Sequence, residues 1–185
     1  MRIIGGEFRS RLISMPKGAV IRPTQDKVRQ AVFNMLSAVS PDNVLDLFAG
    51  SGAYGIEAIS RGAAHATFVD DNPKCLSAIR LNLESLGIPA ARYDIIRSGA
   101  GKALAAFAYN KKAFGLIFID PPYYHDIARK SLITIDDYDI LAPIGRAVVE
   151  RSVKDAAVSG LKNLVLDRER RYGDTVIELF RRKNA

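Results

Sequence analysis

At 185 residues the chain has the length of one domain, enough to bury a full core without disulfide staples. Its 27 Lys and Arg against 20 Asp and Glu leave a net charge of +7 and a pI near 9.6, which favours an anionic partner. Cys75 is a single cysteine, His65 and His125 are not spaced as metal ligands, the amino terminus is charged too early for a secretory signal, and no apolar stretch reaches the ~20 residues of a bilayer span. A cytoplasmic protein without a metal or membrane role is expected.

Residues 1–22 read as a basic arm. Two short β-prone pieces, Arg2-Ile3-Ile4 and Arg11-Leu12-Ile13, flank Gly5-Gly6 and predict a β-hairpin before the main fold. Residues 1–30 hold seven Arg or Lys side chains against only Glu7 and Asp26. A docking helix is expected within 23–40, with Thr24 at its N-cap, Val28, Ala31, Val32, Met35 and Leu36 at helical spacing, and Pro41 as its stop.

From residue 43 strands and helices alternate. The pattern predicts a strand at 43–47, a helix at 53–61 ended by Gly62, and a strand at 66–70, which together make a βαβ unit. Asn72 as N-cap with Pro73 in the first turn starts a helix through Leu86 that Gly87 ends. A strand at 91–96, a helix at 101–109, a strand at 115–119, a helix at 126–135 and a strand at 146–150 follow. Two further strands, 164–166 and 175–180, are joined through Arg171-Tyr172-Gly173-Asp174, a turn signal. The expected architecture is α/β: a doubly wound, mostly parallel Rossmann-like sheet over residues 43–185 with a closing antiparallel hairpin and a reversed strand at its edge. A single domain spanning 1–185 accommodates all of it.

The most informative junction is Asp120-Pro121-Pro122-Tyr123, which closes the apolar run Phe114-Gly115-Leu116-Ile117-Phe118-Ile119. A buried strand ending there delivers these residues to the carboxyl edge of the sheet, where ligands bind in such folds. The prolines make a stiff turn whose carbonyls remain acceptors. Asp120 adds a carboxylate and Tyr123 an aromatic face. Acceptors beside an aromatic ring suit a planar group bearing an amine, such as a nucleobase.

Gly50-Ser51-Gly52-Ala53-Tyr54-Gly55 matches G-x-G-x-x-G between the first strand and first helix, and Asp70 ends the next strand 20 residues after Gly50. That spacing lets Asp70 accept both ribose hydroxyls of a nucleoside cofactor. NAD, FAD and S-adenosylmethionine all use this layout. Asp46, four residues before Gly50, disfavours a pyrophosphate and favours a cationic ligand such as S-adenosylmethionine; the alternative is a structural carboxylate bonded to loop amides.

Together these segments resemble the class I S-adenosylmethionine-dependent methyltransferases, with Asp46-Leu47-Phe48-Ala49-Gly50-Ser51-Gly52 as first motif and Asp120-Pro121-Pro122-Tyr123 as the amino-methylating fourth. Met1-Arg2-Ile3-Ile4-Gly5-Gly6, Arg22-Pro23-Thr24, Val28-Arg29, Phe33-Asn34 and Tyr172-Gly173-Asp174-Thr175 narrow this to a resemblance to the bacterial small-subunit ribosomal RNA guanine-N2 methyltransferases, the RsmD family, over essentially the whole chain. The resemblance implies a seven-stranded sheet. It implies cofactor contacts from Asp46, Phe48, Gly50, Ser51, Gly52, Gly55, Asp70, Ala100 and Asp120, catalysis by Asp120, Pro121 and Tyr123, and RNA contacts from Arg9, Arg11, Arg22, Thr24 and Arg29. The chain departs from the family pattern at Asp70, where Glu is usual, at Gly99, where an acidic or amide side chain usually meets the adenine amine, and at Lys27 and Gln30, where Arg and Glu are commoner.

The function so implied is methyl transfer to the exocyclic N2 amine of a guanine in ribosomal RNA, with the RNA or an assembling small subunit as partner and no oligomer required. Within enzymes the competing reading is a DNA adenine amine methyltransferase, which also uses Asp-Pro-Pro-Tyr but normally adds a target-recognition region. From another class, an RNA-binding assembly factor that keeps the fold without catalysis competes. Cofactor binding separates this last reading from the two enzymes.

Overall fold

The computed structural model describes residues 1–16, 18, 24–36, 43–122 and 126–184. Its central element is β4 (Phe114–Ile119), whose residues alternate between two cores: Leu116 and Phe118 face one side, Ile117 and Ile119 the other. Such two-sided burial is what a run without polar residues requires of an interior parallel strand. β4 pairs in parallel with β1 (Asn43–Asp46) on one edge and with β5 (Leu141–Ser152) on the other. Beyond β1 lie β2 (His65–Asp70) and β3 (Tyr93–Arg97), both parallel. Beyond β5 lie β7 (Thr175–Arg182) and then β6 (Leu164–Tyr172), so the seven strands run in the order β3-β2-β1-β4-β5-β7-β6.

The strand order reverses between β1 and β4, which opens a crevice at their carboxyl ends. Helix α1 (Thr24–Met35), α2 (Ala53–Ser60) and α3 (Pro73–Ser85) pack on one face; α4 (Ala100–Tyr109) and α5 (Ile127–Tyr138) pack on the other. α3 starts as expected: the Asn72 side chain accepts the Lys74 amide at 3.0 Å, with Pro73 in the first turn. The α/β, doubly wound, mostly parallel seven-stranded sheet is borne out. No helix among the described residues is long and apolar enough to cross a membrane.

The closing hairpin differs from expectation in two ways. The reversed strand is β7, antiparallel to both neighbours, so it lies inside the sheet and β6 forms the edge. β6 also runs well past residue 166, because the charged stretch Asp167 to Arg171 is tolerated on an exposed edge and discourages pairing with another chain.

The amino-terminal arm forms a minimal hairpin, one antiparallel bridge between Arg2 and Leu12, and buries Ile3 and Ile13 in the core. Its anchor is Glu57 on α2, fully buried, which accepts the Ile4 and Gly5 amides at 2.8 Å each and the Arg61 guanidinium at 2.7 Å. Gly6, at φ 75°, passes so close to α2 that a Cβ there would lie 1.8 Å from the Ser60 carbonyl oxygen. Asn82 on α3 bonds both Ser14 backbone groups and the Ser51 carbonyl, which ties the arm to the glycine loop.

Candidate active site

The crevice widens into a cavity of about 880 Å³ over the carboxyl ends of β1, β2, β4 and β5. The loop after β1 contributes Phe48, Gly50 and Ser51, the end of β2 Asp70, the start of α4 Ala100, and the end of β4 Asp120 and Pro121. Met1 and Met15 of the arm and the β6–β7 turn at Tyr172 to Thr175 close it from the sides. Distant segments thus converge on one space.

The glycines divide their work. Gly50 and Gly52 take left-handed conformations, φ 55° and 79°, which only glycine adopts without strain, and so bend the chain from β1 into α2. Gly55 packs instead: a Cβ there would meet the Phe68 ring at 2.3 Å. Neither Gly52 nor Gly55 is among the residues lining the cavity, so both shape the loop rather than face that space.

Asp70 sits at the rim, accepting the Gly50 amide at 2.9 Å and the Asn72 amide at 2.9 Å. A carboxylate offers about four acceptor positions, and those beyond the two amides are shared between the Cys75 thiol and whatever hydroxyls a ligand brings. Cys75 lies beside it, its thiol pushed up to about 11 by burial and then by Asp70. These residues fit the ribose of a nucleoside, and the lack of any atom within 4 Å of a Cβ at Gly99 leaves room for its base.

Asp46 is a correction to the sequence reading. It is 2% exposed, is not among the lining residues and accepts the Gly55 amide at 2.9 Å. Burial pushes its pKa up to about 7 despite that hydrogen bond, with Asp70 adding to the rise. Asp46 is therefore the structural carboxylate that the sequence left as the alternative, not a counter-ion in contact with a cationic ligand.

Arg29 is a second correction. Expected at an RNA surface, it is 2% exposed, donates to the Arg2 carbonyl and lies 3.8 Å from Glu57. Its charge serves the join between α1, the arm and α2, and what little it exposes lines the cavity beside Tyr54 rather than an outer RNA surface. Arg9 and Arg11 are exposed as expected, Arg11 with one contact to the Ser85 carbonyl at 3.0 Å. Thr24 is the first residue of α1. Tyr123 and Arg22 lie outside the described residues.

Two residues that the sequence reading missed complete the floor. Glu150 lies in the buried stretch of β5, lines the cavity at 8% exposure and accepts the Tyr54 hydroxyl at 3.2 Å. The Tyr54 ring stacks on Phe118 at 4.8 Å, and burial, then Glu150 and Asp120, hold its hydroxyl pKa well above the ordinary value. The signal was present, since an acid after Val148-Val149 at a strand's carboxyl end is placed like Asp120 after Ile119. Arg168, Arg170 and Arg171 on edge strand β6, leading to the turn at the cavity's side, are basic residues that the sequence reading also missed.

Residues 1–181 match the family described as "Conserved hypothetical protein 95". The chain belongs to this family. It is 35% identical to YlbH of Bacillus subtilis over 99% of this chain and all of that one. It is 33% identical to Ribosomal RNA small subunit methyltransferase D of Escherichia coli over 99% of this chain and 90% of the other. Among solved structures, yhhF from Escherichia coli superposes with a TM-score of 0.83 at 32% identity, covering 100% of this chain and 99% of that one. The resemblance read from the motifs is borne out. At the level of fold alone, SMU.776, solved in complex with SAH, superposes with a TM-score of 0.71 at 16% identity, covering 94% of this chain and 52% of that one.

Proposed function

We propose that the protein transfers a methyl group from S-adenosylmethionine to the N2 amine of a guanine in small-subunit ribosomal RNA. The observation that carries this is the convergence of Asp70, the Gly50 loop and the Asp120-Pro121 acceptors on one cavity, in a chain related over its full length to an enzyme named for that RNA. S-adenosylmethionine supplies an electrophilic methyl group.

The chain's own residues do the rest. Asp70 and the loop at Gly50 and Ser51 hold the nucleoside end. Asp120 and the Pro121 carbonyl accept the hydrogens of the target amine, which draws its lone pair back from the purine ring and aims it across the cavity. Positioning of two reactants in line contributes on the order of 7–11 kcal/mol to such reactions. Asp120 is also proposed to receive the proton released when the nitrogen is methylated. A guanine must be unstacked to enter, at a cost of a few kcal/mol, which favours a loop nucleotide; Tyr123 is proposed as the ring it stacks on. The exposed Arg9 and Arg11 are proposed to hold the phosphate backbone.

The test is incubation with labelled S-adenosylmethionine and, separately, total RNA, small ribosomal subunits or DNA, followed by nucleoside analysis. N2-methylguanosine from ribosomal RNA is expected. N6-methyladenine in DNA, or absence of cofactor binding, would overturn the proposal in favour of the DNA-modifying or non-catalytic reading.

A further inference from the structure

Asp120 and a proline carbonyl can accept the hydrogens of any exocyclic amine, so they do not by themselves distinguish guanine from adenine. The geometry points to Glu150 as the specificity-determining residue, accepting the N1–H of the target guanine while Asp120 holds its N2 amine; this rests on the reaction proposed above.

The placement comes from strand register. Ile119 on β4 pairs with Val149 on β5, so Asp120 and Glu150 are the next residues on adjacent parallel strands. Phe118 and Val148, two positions earlier, face the same core, and by alternation Asp120 and Glu150 share that face. Both line the cavity and both act electrostatically on Tyr54. Two carboxylates therefore stand side by side where the base must enter.

Guanine presents two neighbouring donors there, the N2 amine and N1–H. Adenine presents its amine beside N1 as an acceptor. An ionised carboxylate only accepts, so Glu150 bonds guanine and repels adenine's N1 lone pair. The Tyr54 hydroxyl, 3.2 Å from Glu150, fixes the carboxylate, and the ring is itself fixed by stacking on Phe118. A site built to hydrogen-bond one edge rejects analogues strongly, because the unmatched pairing leaves buried polar groups unsatisfied.

The test uses 2-aminopurine, which keeps the amine of guanine but carries an acceptor at N1. The nucleotide that the wild-type protein methylates in small ribosomal subunits is mapped first, and subunits are reconstituted with RNA carrying guanine or 2-aminopurine at that position. Wild-type kcat/KM is expected to fall at least about tenfold on 2-aminopurine, the size expected for one charge-assisted hydrogen bond. Glu150→Gln, which offers N1–H a neutral oxygen in place of a charged one, should lose roughly tenfold on guanine but less than about threefold on 2-aminopurine, whose N1 can accept from the new amide. Its S-adenosylmethionine affinity by calorimetry should stay at the wild-type value. Equal losses on both bases would make Glu150 structural and overturn the inference. So would wild-type turnover of 2-aminopurine at the guanine rate, a comparison that holds even if the variant folds poorly. Failure of the underlying reading is separate: the wild-type protein would then yield no N2-methylguanosine at all.

Discussion

Asp70 accepts the amide of Gly50 at 2.9 Å, so the acid proposed to hold the cofactor's ribose also holds the loop proposed to seat the cofactor. Two roles in one side chain can be separated by substitution. Asp70→Asn keeps an acceptor for the loop but cannot accept two ribose hydroxyls as a charged partner. It should weaken S-adenosylmethionine binding by roughly 1.5–3 kcal/mol while leaving the melting temperature near wild type. Calorimetry with unchanged affinity would remove Asp70 from the cofactor site.

Asp120 should behave oppositely. It meets the reacting amine rather than the nucleoside, so Asp120→Ala should leave cofactor affinity nearly intact and lower methyl transfer by at least about 10²-fold. Equal losses in binding and turnover would place it on the cofactor side of the cavity.

Asp46 gives a pH dependence of known sign. Its carboxyl is raised from an ordinary 3.8 to about 7 in the folded protein, so the folded state binds the extra proton between those values. Ionisation then opposes folding: stability falls as pH rises from about 4 and the full cost, on the order of a few kcal/mol, is reached above about pH 7. Asp46→Asn can still accept the Gly55 amide but does not titrate. Urea unfolding at pH 5.5 and pH 8 should show a smaller loss for the variant than for the wild type. Parallel losses would mean that another group sets the dependence.

What was legible in the sequence was what local chemistry decides. The proline stop after β4, the Asn72 cap and the Gly50 loop each announce themselves within a few residues, and together they place Asp70 and Asp120 at one sheet edge. Arg29 could not be read this way. Its position in a basic arm suggested solvent, but Glu57, 28 residues later, buries it. Asp46 reads as facing a cationic ligand for a similar reason, since the Gly55 amide that holds it lies nine residues on, within α2. Glu150 was legible only as an acid at a strand's end; that it stands beside Asp120 depends on β5 lying next to β4, a pairing across some thirty residues that local pattern does not reveal.

The arm's seat on α2 predicts a steric effect at Gly6. A methyl group there would lie 1.8 Å from the Ser60 carbonyl oxygen, and the left-handed φ of 75° adds about 1–2 kcal/mol for any side chain. Gly6→Ala should therefore release residues 1–15, seen as faster amide exchange and proteolysis in that segment with the sheet still protected. Unaltered protection would show that α2 yields to the extra atom.

The burial of Arg29 divides the basic residues into two groups with different readouts. Arg9 and Arg11 are exposed on the arm, and Arg168 and Arg170 on the β6 edge, whereas Arg29 is enclosed. If the arm holds phosphates, neutralising Arg9 and Arg11 together should weaken RNA binding across sequences. The slope of log affinity against log salt should fall by about one unit for each phosphate left without its arginine, with cofactor binding unchanged. Arg29→Ala should instead lower the melting temperature, because it leaves Glu57 with a buried charge short of one cationic neighbour. The measurement is small-subunit or ribosomal RNA binding over a salt series beside thermal unfolding of the same variants. An unaltered slope in the Arg9/Arg11 variant, with a reduced slope for Arg168 and Arg170, would move the RNA path from the arm to the β6 edge on the other side of the cavity.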